Sequence, residues 1–354
     1  MLKGNAAGDH FGWSVDGIGD VNGDGKADFI VGAPGTAVNG FANAGSAFVY
    51  SGAAANLLYR IDGTTLADPN GNFRDNLGYS VAGTGDVNGD GRPDFIIGSP
   101  WTDVGGPEWP DDGSAYVYSG ATGTLLYQKN GSSFQIMDFG SSVAGAGDVN
   151  GDGRSDFIVG APRSNPPGAF GAAGSAFVYS GATGNLIYQI NGFSQQEQLG
   201  WLVAGAGDVN ADGRDDFMIG TPLEYLPPDG EYVYGTTVLY SGLNGAPLFR
   251  KDGTGHSGSG TGDVSGDGKA DFIFSGPSGT FVYGFPLPCP YAKGDMNGDG
   301  NLSPADVALL LGCVFSGTGY CDLCFADVNC DGWLSPSDVI TLQNKVFLGT
   351  PFPC

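Results

Sequence analysis

FGWSVDGIGDVNGDGKADFIVGAP, Phe11 to Pro34, decides the fold because it recurs. It returns as LGYSVAGTGDVNGDGRPDFIIGSP from Leu77 and as FGSSVAGAGDVNGDGRSDFIVGAP from Phe139. It returns again as LGWLVAGAGDVNADGRDDFMIGTP from Leu199 and, more divergent, as TGHSGSGTGDVSGDGKADFIFSGP from Thr254. Asp20, Asp86, Asp148, Asp208 and Asp263 mark one point in each copy, at intervals of 66, 62, 60 and 55 residues. Such self-similarity is the mark of a repeat architecture.

Each unit reads as four short strands. The first lies around WSVDGIGDV, the second is DFIVGAP, the third is GSAFVYSG, and the fourth is LLYRI, LLYQK, LIYQI or PLFRK. In the third, Ala47 and Val49 face one way and Phe48 and Tyr50 the other, as the period of two requires. Gly-rich turns punctuate the strands. Four antiparallel strands per unit, repeated radially, make a β-propeller blade; a solenoid fits that count less well. The reading is mainly β, with a propeller over residues 1–285. The fifth unit ends at GTFVYG without a fourth strand. Either Met1–Gly4 supplies that strand and closes a five-bladed ring, or the chain begins inside a blade, with further blades and a secretory leader upstream.

Every copy carries Asp-x-Asn-x-Asp-x-x-x-Asp between its first two strands. The sets are Asp20, Asn22, Asp24, Asp28; Asp86, Asn88, Asp90, Asp94; Asp148, Asn150, Asp152, Asp156; and Asp208, Asn210, Asp212, Asp216. The fifth is Asp263, Ser265, Asp267, Asp271, with Ser in place of Asn. Oxygen donors at alternate positions of a tight loop suit a hard cation such as Ca²⁺. The residue at the seventh position, Lys26 in the first copy, would offer its carbonyl and point its charge outward. An Asx turn alone would explain one such loop. It does not explain five, because three carboxylates within nine residues repel one another without a counter-ion.

The pattern changes after PLPCP, Pro286–Pro290, so a second domain is read over residues 286–354. DMNGDGNLSPAD and DVNCDGWLSPSD each precede an apolar helical run. Their ligands would be Asp295, Asn297, Asp299, Asp306 and Asp327, Asn329, Asp331, Asp338, with the carbonyls of Asn301 and Trp333. Gly at the sixth position and a carboxylate at the twelfth follow the EF-hand loop, with Asp replacing Glu. Pro304 and Pro336 sit where a first helical turn tolerates proline.

All six cysteines (289, 313, 321, 324, 330 and 354) lie in this tail. An even number in a short segment predicts disulfides and an oxidising, extracellular compartment, with fifteen connectivities open. A zinc site at Cys321 and Cys324 is the rival. The net charge is −24. Three Asp in each of five blade loops and two tail loops account for 21 of the 38 acidic residues, and about seven Ca²⁺ would lower the charge to −10. So acidic a chain lacks the basic footprint of a nucleic-acid binder. It has no apolar run of spanning length.

The repeats resemble the FG-GAP repeats of integrin α-subunit propellers, with FG at Phe11-Gly12 and Phe139-Gly140 and GAP at Gly32-Ala33-Pro34 and Gly160-Ala161-Pro162. Propellers of that family are commonly seven-bladed. The two tail loops, each followed by one helix, resemble a type I dockerin, which implies a small α-helical EF-hand-like domain and a cohesin-type partner. Recognition in that family uses a hydroxyl pair at loop positions 10 and 11; here those positions hold Pro304-Ala305 and Pro336-Ser337, which argues against cohesin docking.

No catalytic constellation is visible. His10 and His256 lack a partner and read as packing or surface residues. The connections between second and third strands vary most and carry Trp101, Trp109, Phe170 and Tyr225, on the face opposite the calcium loops. The expected function is an extracellular, calcium-binding, non-catalytic adhesion or protein-interaction platform. A lectin-like protein or an accessory component of a polysaccharide-processing assembly is the first alternative. A glycosidase or lyase using Asp111, Asp112, Glu224 or Asp229 is the second.

Overall fold

The computed structural model of the chain describes residues 2–63, 75–104, 112–132, 136–169, 171–226, 231–276, 279–284, 302–308, 310, 342, 345 and 346, with 223–226 and 231–234 as backbone alone. The chain divides into two compact units. One comprises Met1–Pro247 with Lys251–Gly284, the other Leu248–Arg250 with Phe285–Cys354.

The repeats fold as antiparallel sheets. The first holds β1 (Val15–Gly19), β2 (Asp28–Ala33), β3 (Ser46–Tyr50) and β4 (Leu57–Asp62) in sequential order. The second holds β5 (Ser80–Gly85), β6 (Asp94–Ser99), β7 (Ser114–Tyr118) and β8 (Leu125–Asn130). The third holds β9 (Ser142–Gly147), β10 (Asp156–Ala161), β11 (Ser175–Tyr179) and β12 (Leu186–Asn191). The fourth is β13 (Leu202–Gly207), β14 (Asp216–Gly220), β17 (Thr236–Tyr240) and β18 (Pro247–Asp252). Between β14 and β17 it carries a separate hairpin, β15 (Leu223–Leu226) with β16 (Glu231–Tyr234). The fifth has three strands, β19 (Ser257–Gly262), β20 (Asp271–Gly276) and β21 (Gly279–Tyr283).

The first strands pack in series, β1 on β5, β5 on β9, β9 on β13 and β13 on β19. No comparable packing joins β19 back to β1 among the described residues. Leu2–Gly4 form no strand, so the N-terminal segment does not complete the fifth sheet. Of the two readings of the unfinished fifth unit, closure of a five-bladed ring by Met1–Gly4 is therefore not adopted by the described residues 2–4.

Blade-to-blade packing explains why the alternation in the third strand does not appear as alternating exposure. Ser46, Ala47, Phe48 and Val49 are all buried. Ala47 and Val49 join a core with Phe95, Ile97 and Tyr116 of the second blade. Phe48 faces away, with its ring 5.6 Å from Phe11. Both faces of a middle strand are apolar because each meets packed side chains.

The repeated glycines have a specific cause. A Cβ on Gly98 would strike the carbonyl of Gly140, and one on Gly160 would strike that of Gly200. The GAP glycine of one blade thus lies against the FG glycine of the next, and only backbones approach that closely. Parallel bridges Gly45–Leu77, Gly113–Phe139 and Gly174–Leu199 mark the same seams.

In the second unit, residues 304–308 and 310 are helical. Asp306 accepts from the Ser303 N–H at 2.8 Å and the Ser303 hydroxyl at 3.0 Å, and Ser303 Oγ accepts from the Ala305 N–H at 3.2 Å, the reciprocal arrangement of a helix N-cap. Val307 and Leu310 are buried. The other tail residues singled out from sequence, including all six cysteines, lie outside the described residues. Among the described residues no helix is long and apolar enough to cross a membrane.

Candidate functional site

The Asp-rich loops join the first and second strands of every blade, so they occupy one end of the sheets. In the first, Asp20 Oδ1 accepts from Gly23 N–H at 2.7 Å and Asp24 N–H at 3.0 Å, and Oδ2 from Gly25 N–H at 2.9 Å. Asn22 Oδ1 accepts from Asp24 N–H. Asp24 accepts from Lys26 N–H and from the Ser51 hydroxyl, each at 3.0 Å. The left-handed turns at Gly23 and Gly25 make this wrapping affordable.

Position nine differs. Asp28, Asp94, Asp156, Asp216 and Asp271 are buried. Asp28 Oδ2 accepts from Val21 and Asn22 N–H, and Oδ1 from Gly52 N–H at 2.9 Å in the turn between third and fourth strands. Asp94, Asp156 and Asp216 reach Gly120, Gly181 and Gly242 in the same way. Burial, with a smaller contribution from neighbouring loop carboxylates, pushes Asp94 and Asp156 up to about 6 and Asp216 to about 7.

Among the described residues no three carboxylates are drawn into a closed ligand set. The loops are wrapped on their own N–H groups instead, as an Asx turn would be. Yet a carboxylate has about four acceptor sites, and Asp20, Asp24 and Asp28 accept three, two and three of these hydrogen bonds. The donors are oxygen alone, with no nitrogen or sulfur, which is the chemistry of a hard cation. The residues present therefore fit Ca²⁺ by donor type.

Two contributors were not singled out from sequence. Ser51, Ser119, Ser180 and Ser241 donate to Asp24, Asp90, Asp152 and Asp212 at 3.0–3.4 Å. Their signal is the Ser that follows Tyr at the end of every third strand in the first four copies. The second is the cation at position seven. Arg92 of the second loop leans over Gly23 of the first, its Nη1 3.7 Å from Asp20 Oδ2. Arg154 and Arg214 lie likewise over Gly89 and Gly151. The outward-pointing charge expected at this position is therefore corrected for these three residues. A neighbouring loop of opposite charge lies within reach, and Gly at its fourth position leaves room.

At the opposite end lie the turns that precede first strands and follow second strands. There His10, Trp13, Tyr79 and Trp101 form a line of rings. Centroids are 5.8 Å apart for His10–Trp13, 5.6 Å for Trp13–Tyr79 and 5.7 Å for Tyr79–Trp101. They border a cavity of about 320 Å³. Trp101 is thus placed on the face expected for it. Trp109 and Phe170, like Asp111 and Asp229, lie outside the described residues, and Tyr225 and Glu224 are described by backbone only, in β15. His10, read as a packing or surface residue, is exposed, and so is Trp13.

The description "FG-GAP repeat" fits residues 11–50, 77–118, 139–179 and 199–239; the divergent fifth copy lies outside these matches. Integrin alpha-V of Gallus gallus is 31% identical over 216 residues, 56% of this chain and 20% of that protein. Integrin alpha-5 of Xenopus laevis is 28% identical over 256 residues, 66% of this chain and 21% of that protein. Phosphatidylinositol-glycan-specific phospholipase D of Bos taurus is 29% identical over 233 residues, 60% of this chain and 26% of that protein. The chain spans about a fifth of the length of these integrin relatives. Motif, sheet order and relatives agree: within residues 11–239 the chain carries FG-GAP repeats, similar to those of integrin α chains, folded as antiparallel sheets consistent with propeller blades.

Proposed function

We propose that the protein is an extracellular, calcium-binding, non-catalytic adhesion module whose blades present a protein-recognition face. Asp20, Asn22 and Asp24 and their equivalents hold Ca²⁺ at one end of each blade, with Asp28 and its equivalents closing the loop from within. The ion neutralises the loop carboxylates and fixes the turn between first and second strands. The varied loops at the other end are then displayed on a rigid support. The dockerin-like tail supplies two further calcium loops and a docking helix pair.

The observation that carries this reading is the repetition of one oxygen-only loop at the same end of five blades, opposite the aromatic end. The integrin relatives favour adhesion over catalysis, although the phospholipase D relative shares the repeats. The test is thermal unfolding of the whole chain in calcium and in chelator, under oxidising conditions. Calcium should raise the midpoint by more than 10 °C, roughly what several ligated sites contribute by mass action. An unchanged midpoint would sink the reading.

A further inference from the structure

The ring line at the first two blades has properties that packing alone does not require. Trp13 is 56% exposed. Its slot in the repeat is occupied by Tyr79, Ser141, Trp201 and His256 in later copies, so it is no fixed core position. The rings touch in sequence, His10 to Trp13 to Tyr79 to Trp101, with interplanar angles of 33°, 45° and 54°. Aromatic cages for cations close their rings around one point. Here each ring meets the next along a line, which makes a twisted platform.

The rest of the described border is polar or apolar and uncharged. Asn43, Asn76 and Pro34 line the cavity with the four rings, and among the described residues no Asp, Glu, Lys or Arg does so. In a chain of net charge −24 a described border without carboxylates or cations favours a neutral ligand. Asn43 and Asn76 hold left-handed backbone, φ 59° and 53°, as does His10 at 53°. Their backbone course is thus specified where they border the rings. A cavity of about 320 Å³ matches the lower range of small-ligand sites, roughly 300–1,000 Å³.

We propose that His10, Trp13, Tyr79 and Trp101 form a binding site for a neutral saccharide chain. A pyranose ring presents C–H bonds on its faces and hydroxyls around its edge. The faces would lie on the exposed indole and phenol rings, and the hydroxyls would meet the side-chain amides of Asn43 and Asn76. Successive ring centroids 5.6–5.8 Å apart would seat successive sugars of one chain. This assignment rests on the reading of that end as the recognition face and names a ligand class for one corner of it.

The experiment titrates the calcium-loaded whole chain with neutral hexaoses of glucose, mannose, galactose and xylose. It follows tryptophan fluorescence and heat of binding. At least one hexaose should bind saturably. Trp13→Ala and Trp101→Ala should each weaken it about tenfold or more, the scale of one lost aromatic contact. Trp13→Phe should restore most of the affinity. Trp201→Ala, the same slot three blades on, after the blade whose slot holds Ser141, should leave it unchanged. No saturable binding to any of the four would overturn the proposal, as would binding indifferent to Trp13→Ala. Quenching by an arginine-rich peptide but by no saccharide would also overturn it, in favour of a cationic protein ligand. Trp13→Ala should keep the calcium-dependent melting shift, so loss of that shift in the unmodified chain reports failure of the calcium reading instead.

Discussion

The Tyr127 hydroxyl of the second blade donates to the Gly181 carbonyl of the third at 2.8 Å. The N–H of the same Gly181 donates to the buried carboxylate of Asp156. Tyr59 with Gly120 and Tyr188 with Gly242 repeat the relationship at 3.0 and 2.9 Å. An outer-strand tyrosine in one blade is thereby joined, through one glycine, to the buried loop aspartate of the next. Tyr127→Phe should cost about 1 kcal/mol, the usual net worth of one hydrogen bond, read from the urea midpoint. An effect near zero would show that the seam does not depend on it.

Asp156 and Asp152 occupy the same loop but should fail differently. Asp156 is buried and accepts from Asn150 and Gly181 N–H groups. Asp156→Ala leaves those donors without an acceptor and should cost about 2–3 kcal/mol even in chelator. Asp152 is exposed. Asp152→Asn should change stability in chelator by less than about 0.5 kcal/mol, yet diminish the gain on adding calcium. Paired denaturation curves with and without calcium separate the two roles.

The buried aspartates also set a pH signature for the metal-free chain. Asp94 and Asp156 are raised to about 6 and Asp216 to about 7, against about 3.9 when unfolded. Between these limits the folded state holds more protons than the unfolded state. Stability in chelator should therefore fall as pH rises from about 4 to 7. Calcium favours the ionised carboxylates, so with excess calcium the fall should be abolished or reversed. Melting temperatures across that window in both buffers check the sign.

The close approach of neighbouring blades makes Gly160 intolerant of any side chain. Its backbone angle does not demand glycine, but a Cβ would collide with the Gly200 carbonyl. Gly160→Ala should destabilise by about 1–3 kcal/mol, the range for overpacking. Gly17, in β1, has open space around its Cβ direction and no positive φ. Gly17→Ala should be neutral within about 0.5 kcal/mol. Similar losses at both positions would refute the seam argument.

Much of this organisation was legible in the repeats. Strand order, the Asp loops and the aromatic end all follow from aligning the copies, because each repeat has the same four-strand period. What the copies do not encode locally was missed. Arg92 reads as a solvent-facing loop cation until Gly23 of the preceding blade is placed beneath it. Trp13 and Tyr79 occupy the same slot in successive repeats, 66 residues apart, and become neighbours only when blades stack. In LEYLPPDGEYVY the turn signal PPDG between two alternating runs marked the β15–β16 hairpin, but its place between second and third strands made it look like a loop. The N-terminal MLKGNAA reads equally as a closing strand or as the end of a blade begun upstream, because a few residues carry too little pattern to choose; Leu2–Gly4 form no strand.

The central claim is that the repeated Asp loops hold calcium. The most direct measurement is the number of calcium ions per chain after gel filtration in trace calcium, by elemental analysis. The account predicts about seven, five from the blades and two from the tail, and a count lowered by about one in Asp152→Asn. Two ions or fewer would contradict it and return the loops to hydrogen-bonded turns.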